Sequence, residues 1–134
     1  KPNDRQDKWV YHYTDMTRCH AILNSSRIRV SVANGPKKLS MGNGVYFTRL
    51  DPSNGMKRIH ANNYTTGGGP IPPLEKTAYF FQVPMNTLMN QMSCTTFANT
   101  RDICVVPNNG KDLILPPGTR YGKTNNWQVK GQVF

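Results

Sequence analysis

The chain has 134 residues, and its 17 lysines and arginines outweigh seven acidic residues to give a formal net charge of +10. This length suits one domain, so residues 1–134 are expected to form a single domain, and ten prolines with eleven glycines argue against a helical bundle. No apolar run approaches the roughly 20 residues of a membrane span, and no signal-peptide pattern opens the chain. We therefore expect a soluble monomer without membrane contact.

The charge favours an anionic ligand or partner. The basic residues are dispersed, with only Lys37-Lys38 and Lys57-Arg58 adjacent. Dispersal favours a phosphate-bearing small ligand over a nucleic-acid-binding arm, and solubility alone is the alternative explanation.

The three cysteines are Cys19, Cys94 and Cys104. Their odd number and wide spacing indicate neither a disulfide framework nor a zinc site, so no metal is expected. One disulfide with one free thiol is compatible with the count.

The first half of the chain predicts strands and helices in alternation. Residues 8–14 (KWVYHYT) alternate as a strand that gives His12 the face opposite the tyrosines. Asp15 is a good N-cap for a helix that ends near residues 24–25, and residues 27–32 (RIRVSV) predict an edge strand. A loop over 34–44 leads into the strand GVYFT at residues 44–48, and residues 56–64 predict a short polar helix.

The second half predicts mainly strands. Residues 65–73 (TTGGGPIPP) predict an exposed loop. Residues 77–83 (TAYFFQV), 101–106 (RDICVV) and 112–115 (DLIL) predict strands, the last two separated by a hairpin-like turn. The tail from residue 119 predicts a final strand or two.

Three residues are candidates for chemistry because each is polar or amphipathic and lies in a short strand whose neighbours face away from it. They are His12, Tyr46 and Asp102. Each also has a structural interpretation. A strand histidine is commonly a packed residue bonded to a carbonyl, a tyrosine in GVYFT is commonly core, and Asp102 beside Arg101 suits a solvated strand end.

Four features in chain order resemble the ADP-ribosyltransferase superfamily. They are His-Tyr-Thr at residues 12–14, a capped helix, Gly-x-Gly-Val-Tyr-Phe-Thr at residues 42–48, and an acidic residue before Ile-Cys-Val-Val-Pro at 103–107. Within it they are similar to the toxin-type His-Tyr-Asp branch, over most of residues 9–115. The resemblance implies an α+β fold with a split, mixed β-sheet, few short helices and NAD as co-substrate in the central cleft.

The resemblance also implies roles for individual residues. His12 would donate to a ribose of NAD, the backbone at Tyr13 would bind the nicotinamide amide, and Tyr46 would stack on the nicotinamide ring. Asp102 would stand where many relatives have glutamate, with Asp112 and Glu75 as competing carboxylates. Further NAD-binding candidates are Thr14, Arg27, Ser40, Asn43 and Tyr64, although polar loops and solvated strand faces explain several of them equally well.

The chemistry suits these residue types. Cleavage of the nicotinamide–ribose bond develops an oxocarbenium-like centre, which a carboxylate stabilises. The leaving group departs neutral, so no second acid is required. An aromatic face against the cationic pyridinium contributes roughly 0.5 to 2 kcal/mol, and a histidine nitrogen suits a ribose hydroxyl.

The leading hypothesis is therefore an NAD-dependent ADP-ribosyltransferase or NAD glycohydrolase, with an acidic protein or nucleic acid as acceptor. As a toxin-type domain it would be secreted or delivered, although the sequence leaves its compartment open. One alternative is an NAD-dependent RNA 2′-phosphotransferase, whose relatives also use cleft arginines. The other is a non-catalytic basic module that binds nucleic acid.

Overall fold

The computed structural model describes residues 8–32, 41–64, 71–88, 90–97 and 101–132. The helices there are α1 (Met16–Ser25) and α2 (Met56–Asn63). The strands are β1 (Trp9–Thr14), β2 (Arg27–Ile28), β3 (Val45–Phe47), β4 (Tyr79–Pro84), β5 (Ser93–Phe97), β6 (Arg101–Val106), β7 (Leu113–Ile114), β8 (Arg120–Lys123) and β9 (Gln128–Gln132). This content of helices and strands confirms the α+β class.

Within these residues the strands form sheets of four, three and two strands, in the orders β1-β4-β8-β9, β3-β6-β5 and β2-β7. Every pairing between them is antiparallel. The mixed strand directions that the resemblance implied are therefore not found in the described part of the chain.

Strand β1 contributes side chains to two separate cores, as its alternating sequence predicts. Val10 packs in one core with residues of α1, such as Cys19, and of the three-stranded sheet. Tyr11 and Tyr13 pack on the other face against Ile59 of α2. The two helices thus lie on opposite sides of β1, and His12 faces the α1 side.

Several predicted elements are confirmed, among them β1, α1, α2, β6 and the two strands of the tail. The side chain of Asp15 caps α1 by accepting from the backbone N–H of Arg18 at 2.7 Å. The strand predicted at residues 77–83 begins two residues late because Leu74–Thr77 forms a 3-10 helix. Residues 33–40 and 65–70, which make up most of the two predicted loops, lie outside the described residues.

Two predictions are wrong, and one strand was not predicted. The strand predicted at 27–32 is shortened to β2 because Val30 donates to the Asp112 carboxylate and Ser31 pairs with Gly44 instead. The sequence predicted no strand at residues 93–97, which form β5 along β6. The turn after β6 does not close a hairpin, because β7 pairs with β2.

Cys94 and Cys104 lie directly opposite each other on β5 and β6 and form a disulfide. Cys19 is free and buried. The three cysteines thus form one disulfide and leave one free thiol.

Among the described residues, no helix has the length and apolar character needed to cross a bilayer.

Candidate active site

Strands β1 and β3 meet at a single pair of residues and then diverge. Tyr11 donates its backbone N–H to the Thr48 carbonyl at 2.8 Å, and Thr48 returns a bond to the Tyr11 carbonyl at 2.9 Å. In a continued antiparallel ladder, Tyr13 would next pair with Tyr46. Instead the Tyr46 carbonyl bonds to Nδ1 of His12 at 2.9 Å.

The divergence leaves backbone groups of β1 unpaired. The N–H and C=O of Tyr13 lie on the same edge of β1 as those of Tyr11, and across the described ranges they have no backbone partner. The side chain of Tyr13 is buried, and its hydroxyl donates to the Leu50 carbonyl at 2.7 Å. We call the interrupted pairing between Tyr13 and Tyr46, where the His12 side chain bonds to the Tyr46 carbonyl, the β1–β3 gap.

The protonation of His12 follows from its partner. A carbonyl can only accept, so Nδ1 carries the hydrogen, and in the neutral ring Nε2 is an acceptor. Burial lowers the pKa of His12 below its ordinary value, and the bond to Tyr46 only partly opposes that shift. Nε2 of the neutral ring can therefore only accept a hydrogen bond, whereas the resemblance implied that His12 donates one.

The ring of His12 is also held by packing. It meets the Phe47 ring edge-on, with 5.9 Å between the ring centroids. Phe47 is a core residue of β3. The imidazole is thus fixed by one hydrogen bond and one aromatic contact, both made to β3.

Tyr46 projects from the face of β3 opposite the buried Val45 and Phe47. Its hydroxyl accepts from the backbone N–H of Met41 at 2.9 Å and donates to the Gly42 carbonyl at 2.5 Å. Burial raises the pKa of this phenol, while the bond from Met41 opposes the rise. The hydroxyl is thus committed to the turn before β3.

Gly44 allows that turn to approach β6 closely. A Cβ added at Gly44 would lie 2.6 Å from a methyl of Val105 and 2.8 Å from the Val106 carbonyl oxygen. Real side chains do not tolerate such distances, so the turn that holds Tyr46 requires glycine at this position.

Asp102, at the start of β6, lies beside the β1–β3 junction. Its Oδ2 accepts from the backbone N–H of Arg49 at 2.6 Å and from the Thr48 hydroxyl at 3.3 Å. Its Oδ1 accepts from Nε of Arg49 at 2.7 Å and also from Nη2. The carboxylate therefore lies beside Thr48, at the β1–β3 junction, and it is engaged by the Arg49 guanidinium.

The competing carboxylates lie elsewhere. Asp112 accepts from the backbone N–H of Val30 at 2.9 Å, before β7, and Glu75 is exposed on the 3-10 helix after residue 73. Neither side chain has a bond to β1 or β3 among the described residues. Of the three predicted carboxylates, the structure brings Asp102 to the junction.

The remaining predicted contacts of NAD lie on several different elements. Thr14 is buried at the end of β1, while Arg27 is exposed on β2 opposite Ile114. Asn43 is exposed in the turn before β3. Tyr64 follows α2 and packs on His60, with 5.2 Å between the ring centroids. Burial raises the pKa of Tyr64, and the nearby Asp15 carboxylate adds to the rise.

Ser40 lies outside the described residues, so its predicted role stays a prediction. Groups of three or more histidine, cysteine or acidic side chains suited to a metal ion are not found in the described ranges.

Sequence reasoning missed two residues of this region, Arg49 and Asn62. Arg49 directly follows the GVYFT strand, and its side chain holds Asp102. Asn62 lies on the short, mostly polar helix α2, where it is only 4% exposed. Its side chain bonds to both Thr48 and Asp102. An asparagine in a polar helix gives no signal of such contacts, because its partners are far away in sequence.

The chain matches a family model described as an ADP-ribosyltransferase containing the HYD1 signature, over residues 10–90. This segment is more than half of the chain, which therefore belongs to this toxin-type ADP-ribosyltransferase family. Comparisons with curated proteins and with solved structures give no match. The matched segment includes His12 and Tyr46 and ends before Asp102.

Proposed function

We propose that this protein, acting as one domain, cleaves the nicotinamide–ribose bond of NAD and either transfers ADP-ribose to an acceptor or hydrolyses NAD. ADP-ribosyltransferases use NAD as co-substrate, and the chain belongs to such a family. The observation that carries the proposal is the β1–β3 gap, where the imidazole of His12 bonds to the Tyr46 carbonyl and the backbone N–H and C=O of Tyr13 have no partner among the described residues.

The unpaired groups of Tyr13 suit the carboxamide of nicotinamide. A carboxamide offers one NH₂ donor and one carbonyl acceptor, side by side. The N–H and C=O of a single strand residue offer the complementary pair on one strand edge. Two such bonds would fix the orientation of the nicotinamide ring within the gap.

The two side chains of the gap suit the rest of that half of NAD. Nε2 of His12 is an acceptor for a ribose hydroxyl. The hydroxyl of Tyr46 is held by Met41 and Gly42, which restrains the ring for stacking on the cationic pyridinium. Together they would hold the scissile bond and the departing nicotinamide in a defined geometry.

The carboxylate that stabilises the oxocarbenium-like centre would be Asp102. Its bonds to Thr48 and Arg49 hold it beside the β1–β3 junction, where it forms an ion pair with the Arg49 guanidinium. The positive charge of the protein would attract the pyrophosphate of NAD and an acidic acceptor, protein or nucleic acid. A secreted or delivered toxin-type domain is the setting that the family suggests.

The experiment is to incubate the purified chain with NAD, with and without candidate acceptors, and to quantify released nicotinamide and identify products by mass spectrometry. We expect release by the wild type and its loss in Tyr46→Ala. The matched control is Tyr121→Ala, because Tyr121 is a half-buried strand tyrosine that stacks on Phe81 of the four-stranded sheet. Equal loss in both variants, or no release by the folded wild type, would contradict the proposal.

The same assay separates the two alternatives. An RNA 2′-phosphotransferase would turn over NAD only with 2′-phosphorylated RNA. A binding module would show salt-dependent binding to nucleic acid with no stabilisation by NAD.

A further inference from the structure

Strand β3 leaves β6 at the point where it turns to meet β1. Their register pairs Val45 with Val106 and Phe47 with Cys104. A continued ladder would place the backbone of Arg49 against the backbone of Asp102. The backbone of Arg49 does not fill that position, because its N–H donates to the side chain of Asp102.

A side chain from α2 takes the vacated position. The backbone N–H of Asp102 donates to Oδ1 of Asn62 at 2.6 Å, and Nδ2 of Asn62 donates to the Asp102 carbonyl at 2.9 Å. One primary amide thereby makes the two bonds that a strand residue would make to β6.

The same amide reaches the β1–β3 junction. Nδ2 of Asn62 donates to the Thr48 hydroxyl at 3.1 Å, and Thr48 is the residue whose backbone pairs with Tyr11. Asn63 offers a further acceptor to Nδ2 at 2.9 Å. Asn62 is 4% exposed, so water does not compete for these bonds. The side chain therefore links α2, the start of β6 and the only backbone pairing between β1 and β3 in the described ranges.

We propose that Asn62 is a positioning residue of the NAD site: its amide replaces the strand partner of Asp102 and so fixes where β3 parts from β6 and opens the gap against β1. This inference rests on the proposed function. It predicts that Asn62 acts through Thr48 on the gap that holds nicotinamide, and through the backbone of Asp102 on the placement of the carboxylate.

If the role of Asn62 were purely structural, its replacement would lower stability only as much as the loss of any other buried hydrogen bond. The matched control is Thr124→Val, because Thr124 is 2% exposed and its hydroxyl donates to the Thr77 carbonyl, which precedes β4. Asn62→Ala and Thr124→Val each remove hydrogen bonds that a buried side chain makes. Thr124, however, has no hydrogen bond to β1, β3 or β6 among the described residues.

The experiment compares wild type, Asn62→Ala and Thr124→Val in two ways. Amide hydrogen exchange of Tyr11 and Thr48 is measured without NAD, and KM and kcat for nicotinamide release are measured with NAD. We expect Asn62→Ala to speed exchange at both amides by about tenfold relative to the control. We also expect it to raise KM for NAD and lower kcat, while the control keeps the wild-type values at a temperature where both variants are folded.

Thr48→Val keeps the test decisive if Asn62→Ala does not fold. Valine has the shape of threonine but lacks the oxygen that accepts from Asn62 and Leu50 and donates to Asp102, so a change in the same direction is expected. Exchange equal to that of the control, or kinetic constants that change no more than those of the control, would overturn the positioning role. Absence of NAD turnover in the wild type would instead overturn the proposed function, since the exchange measurement does not depend on NAD.

Discussion

The imidazole of His12 donates from Nδ1 to the backbone carbonyl of Tyr46 at 2.9 Å, across the point where β1 and β3 part. This bond does two things at once. It satisfies a carbonyl that has lost its strand partner, and it fixes the tautomer so that Nε2 is left as an acceptor. The two strand residues singled out from the sequence, His12 and Tyr46, are thus joined directly, one by its side chain and the other by its backbone.

Nicotinamide release should depend on pH through His12. Burial holds the pKa of His12 below its ordinary value of 6.5, so the ring stays neutral and its Nε2 stays an acceptor at neutral pH. We expect release to be level at neutral pH and to fall only at pH values below 6.5. A pH profile of release tests this, and a fall centred above the ordinary histidine pKa would contradict it.

The same group makes stability depend on pH. In the unfolded chain His12 regains its ordinary pKa of 6.5, so below that pH the unfolded state binds more protons than the folded state. The free energy of unfolding should therefore decrease as the pH falls from 6.5 through the lower, folded-state pKa. His12→Asn keeps an N–H for the Tyr46 carbonyl but does not titrate, so thermal unfolding of this variant should show a weaker decrease.

Substitutions of Tyr46 should separate the ring from the hydroxyl. Tyr46→Phe loses the bonds to Met41 and Gly42 but keeps the aromatic face, so we expect a rise of roughly fivefold in KM for NAD, the equivalent of about 1 kcal/mol. Tyr46→Ala also removes the stacking surface and should lower release further. Steady-state kinetics test the order, and equal loss in both variants would show that the ring itself contributes nothing.

The carboxylates can be separated by a series of single changes. We expect Asp102→Asn to lower turnover by roughly a hundredfold or more, while Asp112→Asn and Glu75→Gln stay near wild type. Arg49→Ala is the control for the ion pair, because it breaks the contact with Asp102 but keeps the carboxylate. If all three acid variants retain full turnover, the mechanism with a single carboxylate is wrong.

The disulfide between Cys94 and Cys104 should contribute to stability. It closes a loop with a sequence separation of 10, and constraint of the unfolded chain by such a bridge is worth about 2 to 3 kcal/mol. Urea unfolding of the oxidised protein and of the double variant Cys94→Ser, Cys104→Ser measures this difference. Thiol titration of the unfolded, unreduced chain should find one thiol, that of Cys19, and three thiols would contradict the pairing.

Much of the fold follows from local sequence. The alternation of β1 and the Asp15 cap of α1 are signals carried within a few residues, and both elements are found as predicted. Strand β5 was missed because Ser93–Phe97 has few apolar residues and is mostly exposed. Its pairing with β6 and the disulfide stabilise it, and neither is visible in the segment itself.

The candidate site, like the fold, is predicted only in part by local sequence. His12 and Tyr46 stand out because each interrupts a short apolar strand, and the structure brings them together. The engagement of Asp102 by Arg49 and the contacts of Asn62 depend on where β3 leaves β6. That point is set by tertiary pairing, so local patterns do not predict it.

Binding of nicotinamide to the backbone of Tyr13 can be measured directly through the chemical shift of the Tyr13 amide during separate titrations with nicotinamide and with ADP-ribose. If the unpaired N–H of Tyr13 binds the carboxamide, nicotinamide should shift this resonance strongly and ADP-ribose, which lacks that group, should not. An unshifted Tyr13 amide in the presence of saturating nicotinamide would contradict the account.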